Sequence, residues 1–268
     1  QCVAVGVDAL GAQVSSAHYN VAVGHSALKA STTASNNTAV GFSALLANTD
    51  GHSNTAIGSA AGDAITTGDR NTVVGHDAGS TLVEGSDNVF IGQLAGNATA
   101  GSHNTAVGQQ ALEVNSTGAS NVAIGKQALE ANTTANANTA VGVECMRMNT
   151  TGGGAVAVGA YALDAQTTAD NNTAVGHQAL TGATTGGNNT GIGTNALMVN
   201  STGSGNVAIG KDAADAYTAN NITAVGLNAL SAATTGGGNV AVGYNALTSN
   251  TTGDNNTAIG YETSESTT

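Results

Sequence analysis

The chain has 268 residues, of which 8% are charged, with 17 acidic against 5 basic side chains and a net charge of −12 at pH 7. That balance works against nucleic acid and anionic membrane surfaces as partners, since both call for clustered Lys and Arg, and no run of eighteen apolar residues is present to insert into a bilayer as a helix. Aromatics at 3%, no Trp, no Pro and 38 Gly exclude an ordinary globular core, while 40% apolar residues in fixed places exclude plain disorder.

The predicted elements begin at once. Gln1 leads directly into Cys2-Val3-Ala4-Val5-Gly6, the first copy of a pentad, with no secretion leader visible. The numbering is therefore expected to start after a processed or omitted segment. The pentad returns as NTAVG at Asn37 to Gly41, NTAIG from Asn54, NVAIG from Asn121, NTAVG from Asn172 and NVAVG from Asn239. Its glycine steps from Gly6 through Gly24, Gly41, Gly58 and onward to Gly260. The step is 17 residues except for one of 18 and two of 16. Such a period is the signature of a solenoid.

With the Asn counted as position 1, position 4 is Val or Ile in all sixteen copies and position 2 is only Thr or Val. Position 3 is Ala in thirteen. This alternation predicts a short strand with positions 2 and 4 on one face and position 3 on the other. Gly at position 5 predicts a bend. Ala at position 8 and Leu at position 9 predict a second short strand. Polar stretches such as Asn149 to Gly154 and Asn250 to Asn255 then close the coil as turns.

The fold class that follows is all-β: a parallel β-solenoid or β-roll of about sixteen 17-residue coils, forming one continuous repeat domain over residues 1–268 without separate caps. Asn37, Asn54, Asn71, Asn121, Asn172 and Asn239 are expected to stack as an amide ladder along the axis, in a column interrupted at Cys2, Ala155 and Ile222. Val40, Ile57, Val74, Ile124, Val175 and Val242 are expected to form the core column. Position 3 would then point outward, and a column of Ala there, or of Ala or Leu at positions 8 and 9, is expected to be covered by another chain. The uncapped first and last coils fit either a segment of a longer protein or subunits stacked end to end.

The pentad with an Ala three residues on, as in Asn121 to Leu129 (NVAIGKQAL), resembles the head repeats of trimeric autotransporter adhesins. Similar arrays occur in phage tail-fibre and other extracellular fibre proteins. The likeness covers essentially the whole chain. It implies a left-handed roll, three chains about a shared axis, and display outside the cell or on a virion for attachment to a host-surface receptor or glycan.

Candidate chemistry is sparse. Cys145 takes the Ala slot at position 8 and reads as a small buried side chain. Cys2 lies eight coils earlier, roughly 38 Å along the axis of a straight solenoid, too far for an intrachain disulfide; a bridge to a neighbouring subunit is open to it. His25, His76 and His177 share position 6 but sit three or more coils apart, so they read as solvated edge residues rather than metal ligands. Thr49-Asp50-Gly51 and Thr252-Gly253-Asp254 hint only faintly at calcium and lack the spacing of calcium-binding rolls. No catalytic constellation and no cofactor motif emerges, so the chain is not expected to be an enzyme. The leading functional expectation is a building block of an extracellular fibre, filament or adhesin whose partner is itself, as a homotrimer or end-to-end polymer, with no nucleic acid and no membrane insertion. The alternative is ice binding through a Thr column at position 13 that includes Thr32, Thr49, Thr66, Thr133, Thr150, Thr167, Thr184, Thr218, Thr234, Thr251 and Thr268, broken at Val83 and Ala100.

Overall fold

The computed structural model describes residues 1–13 and 17–263. The chain divides into two compact units, Gln1–Asn136 and Ala137–Thr268. The first unit holds eight three-residue strands: β1 (Val3–Val5), β2 (Val21–Val23), β3 (Thr38–Val40), β4 (Thr55–Ile57), β5 (Thr72–Val74), β6 (Val89–Ile91), β7 (Thr105–Val107) and β8 (Val122–Ile124). Each pairs in parallel with the next in chain order. The second unit repeats the plan with β9 (Thr139–Val141), β10 (Val156–Val158), β11 (Thr173–Val175), β12 (Thr190–Ile192), β13 (Val207–Ile209), β14 (Thr223–Val225), β15 (Val240–Val242) and β16 (Thr257–Ile259). Each unit is an all-β parallel β-solenoid, and the described residues contain no helix.

Residue i pairs with its equivalent one repeat later, as Thr38 with Thr55 and Val40 with Ile57. The shortened coils keep this correspondence: β6 pairs with β7 as Val89 to Thr105 and β13 with β14 as Val207 to Thr223. The missing residue is therefore taken from the turn, where backbone can be dropped without shifting the strand register. At position 5 the close approach of successive coils dictates glycine. Gly108 has φ of +136°, and a Cβ there would lie 2.5 Å from the Gly125 carbonyl oxygen.

The strand faces are the reverse of the expectation. Position 3 points inward, with Ala22, Ala39, Ala56, Ala123, Ala174 and Ala241 fully buried. The expected core residues lie on the outer face: Val40, Val74 and Val242 are half-buried, while Ile57, Ile124 and Val175 are 43%, 40% and 37% exposed. The reason is width. The interior opposite position 3 is already filled by Leu at position 9, so a Cβ added at Gly191, a position 3 residue, would come within 3.1 Å of Leu180 Cγ. A methyl group fits such a space and a branched side chain does not.

The second expected strand is absent as well. After the bend the chain makes successive tight turns, with Ala27, Lys29 and Ser31 donating their N–H groups to the carbonyls of Gly24, Ser26 and Leu28 at 3.4, 3.3 and 3.2 Å. Positions 7 and 9 hold left-handed φ, 58° at Ser26 and 50° at Leu28, the value a type II turn requires at its third residue. This geometry turns both position 8 and position 9 inward. Ala27, Leu28, Ala44, Leu45, Ala179 and Leu180 are all fully buried, so neither column is left for another chain to cover.

Where position 9 is Gly or Ala, the volume moves elsewhere. Gly62, Gly79 and Gly96 occupy position 9 in three consecutive coils, and there Ile65 and Leu82 at position 12, with Val73 and Phe90 at position 3, fill the core. A Cβ on Gly79 would lie 3.1 Å from Phe90. In the second unit Ala214 at position 9 is matched by the fully buried Tyr217 at position 12. Volume conserved across a pair of positions is what close packing demands.

Candidate functional site

The interior has an apolar half, made by positions 3, 8 and 9, and a polar half, made by positions 1, 12 and 15. The expected Asn ladder forms the latter. Asn37, Asn54 and Asn71 donate their backbone N–H to the side-chain Oδ1 of the Asn one coil earlier at 2.9, 2.8 and 2.9 Å. Asn121 bonds Asn104 at 3.0 Å, Asn172 accepts from Asn189 at 2.9 Å, and Asn239 accepts from Asn256 at 2.8 Å. The amide nitrogen meanwhile donates across the coil, as Asn37 Nδ2 does to the Gly51 carbonyl at 2.8 Å. Each side chain thus satisfies one buried donor and one buried acceptor that would otherwise be orphaned.

Two interruptions of this column are accompanied by polar position 12 side chains that the sequence reading missed. Ala155 still donates its N–H to Asn138 at 2.9 Å but has no amide to offer. Gln166, at position 12 of that coil, accepts from Asn172 Nδ2 at 2.9 Å and donates to Asn149 Oδ1 at 3.2 Å. Ile222 likewise cannot donate to Gly236 across its coil, and the Tyr217 hydroxyl does so at 2.7 Å. The signal was present in the sequence as the only Gln and the only Tyr at position 12 of the second unit, each next to a position 1 that lacks Asn.

The turn supplies two further ladders. The position 13 hydroxyls donate to the position 13 carbonyl of the next coil, as Thr32 to Thr49 at 3.1 Å, Thr150 to Thr167 at 2.9 Å and Thr184 to Ser201 at 2.9 Å. The Thr49 carbonyl also collects the N–H groups of Thr32, Thr33 and Ala34 at 3.0, 3.1 and 3.2 Å. Thr268 lies outside the described residues. Position 16 was not singled out, yet its side chain accepts the N–H of position 16 one coil earlier. His52 bonds Asp69 at 2.6 Å, Asp69 bonds Ser86 at 3.0 Å, and Gly237 bonds Asp254 at 2.7 Å.

The outer strand face is different in kind. Positions 2 and 4 carry nothing but Thr, Val and Ile, and the position 2 Thr hydroxyls make no hydrogen bond with other protein groups among the described residues. The titratable side chains are dispersed over other positions of the repeat. His25 stacks on Phe42 at 5.4 Å, His76 sits 3.1 Å from Asp77, and His177 meets the edge of Tyr161 at 6.0 Å. Among the described residues no three His, Cys, Asp or Glu side chains converge as a metal site. Asp50 accepts from the Thr33 hydroxyl, which leads in holding its carboxyl below the ordinary value, and Asp254 is engaged with the backbone. Burial raises the carboxyls of Asp63 and Asp215, the nearby charges of Asp77 and Asp212 adding to it. Cys2 is exposed and free. Cys145 is buried and donates to the Ala157 carbonyl at 3.3 Å, and burial pushes its thiol up to about 12.

No family model, curated protein or solved structure matches the chain.

Proposed function

We propose that the chain is a non-catalytic structural part of an extracellular fibre, filament or adhesin, with copies of itself as its principal partner and a host-surface receptor or glycan as the object of attachment. One observation carries this reading: the polar side chains at positions 1, 13 and 16 are spent on joining one coil to the next. Repeated hydrogen bonds from the Asn, Thr and Asp or Ser columns give each coil side-chain fastening in addition to the backbone ladder. Repetition of this kind suits a mechanical element, whose stability is a sum over neighbouring coils. The adhesin-like pentads point the same way.

The test is to raise an antibody to the chain and image producing cells and their shed material by immunogold electron microscopy. Label along extracellular fibres or on the cell or virion surface is expected. Label confined to the cell interior contradicts the reading.

A further inference from the structure

We propose that the outer strand face of each unit, made of positions 2 and 4, binds the surface of ice. This goes beyond the fibre reading and rests only on the fold. Each strand places two side chains on that face, and the in-register pairing repeats them coil after coil. The result is a rectangular net of roughly 4.8 by 6.7 Å, near the repeat of oxygen atoms on the prism faces of hexagonal ice.

The side chains suit that ligand. Position 2 is Thr in nine copies and Val in seven, and position 4 is always Val or Ile. Every one presents a methyl group on a stiff β-branched stem, so the net keeps its shape. No charged or long side chain interrupts it, and Ser never replaces Thr. Thr and Val are nearly isosteric, so their exchange preserves the methyl array while varying only the hydroxyl.

A second copy of the chain fits this face less well. Its Thr, Val and Ile offer a protein partner no aromatic or Arg anchor of the kind that dominates stable interfaces. A dry contact would also bury the hydroxyls of Thr38, Thr55, Thr72 and Thr105 in one unit, and five more in the other, without partners inside the chain. Each such loss is unfavourable, because a buried hydroxyl without a partner forfeits its bond to water. Against ice the same hydroxyls bond lattice water while the methyls occupy its hollows.

The experiment is nanolitre osmometry on the purified chain, with light scattering to fix its oligomeric state. Thermal hysteresis with faceted crystals is expected from the intact chain. Thr55→Lys with Thr190→Lys should abolish it, and the milder Thr55→Ser with Thr190→Ser should reduce it by removing only methyls. Thr49→Val, at position 13, should leave it unchanged, with circular dichroism confirming that each variant folds. Absence of hysteresis in the folded chain overturns the proposal. So does an oligomer that Thr55→Lys dissociates, which would assign the face to another copy. Neither result touches the immunogold test of the fibre reading.

Discussion

At the scale of single residues, the structure is a set of buried polar atoms that must each be answered. Gln166 shows how tightly this is kept. It reaches from position 12 to Asn172 and Asn149 in the coil where Ala155 interrupts the ladder. Gln166→Ala should lower stability by about 0.5–1.5 kcal/mol, the net worth of a lost hydrogen bond, since Asn172 Nδ2 keeps the Gly186 carbonyl at 2.8 Å; the change is read as a shift in denaturant midpoint. Adding Ala155→Asn should recover much of the loss, and failure of that second change to help would show that the two positions are not coupled. Asp215 gives a pH-dependent counterpart. Burial raises its carboxyl in the folded chain, so folding favours the protonated form. Its contribution is fully present below the ordinary carboxylate range and is lost as pH rises through the raised folded value. Asp215→Asn should then stabilise the chain at pH 7, with the advantage shrinking toward pH 3. Thermal melts at the two pH values test this, and an advantage that grows on acidification would contradict it.

At the scale of the element, the coil was legible in part. The 17-residue period, the strand at positions 2 to 4, the glycine bend and the Asn ladder all follow from spacing, because each depends on a residue type that only one backbone environment favours. Which face of the strand points inward was not legible. Three residues alternating as Thr-Ala-Val satisfy a sheet either way up, and hydrophobicity alone favours burying Val. What decides it is the narrow interior, set by left-handed φ at residues such as Leu28 and Leu45. Leu is an unusual occupant of that region, so the Ala-Leu pair reads as a strand when it is a turn. The exchange of bulk between Gly79 or Gly96 and Phe90 was in the sequence and carried the information that positions 3 and 9 share one space. Phe90→Ala should accordingly cost about 3–5 kcal/mol, while Phe42→Ala, at 58% exposure on the outer edge, should cost far less; comparable losses from the two would argue against the shared core. The position 12 column offers the opposite case. Asn200 Nδ2 is buried without a partner, and the residue one coil earlier is Ala183. Ala183→Asn should supply the missing acceptor, as Asn115 does for Asn132 at 2.8 Å, and raise stability by about 0.5–1.5 kcal/mol. A lower denaturant midpoint would show that the column has no room for it.

At the scale of the whole molecule, no coil is independent. Its apolar half is three or four small side chains, and its polar half is satisfied only by the coils before and after it. Stability therefore accumulates by neighbour contacts, and the same repetition that builds a strong element also prints a regular outer face. The fibre and ice proposals draw on these two consequences separately: the first on what lies between coils, the second on what the coils present to solvent.

The central claim is that positions 3 and 4 of the strand face opposite ways, the residue at position 3 in and the β-branched residue at position 4 out. Cysteine accessibility tests it most directly. In a Cys2→Ser background, cysteines placed singly at Ala39, Val40, Ala123 and Ile124 would be titrated with a thiol reagent under native conditions. Rapid labelling at the sites of Val40 and Ile124, with protection at those of Ala39 and Ala123 until the chain unfolds, is the predicted result. Protection at Val40 and Ile124 with free reaction at Ala39 and Ala123 would contradict it.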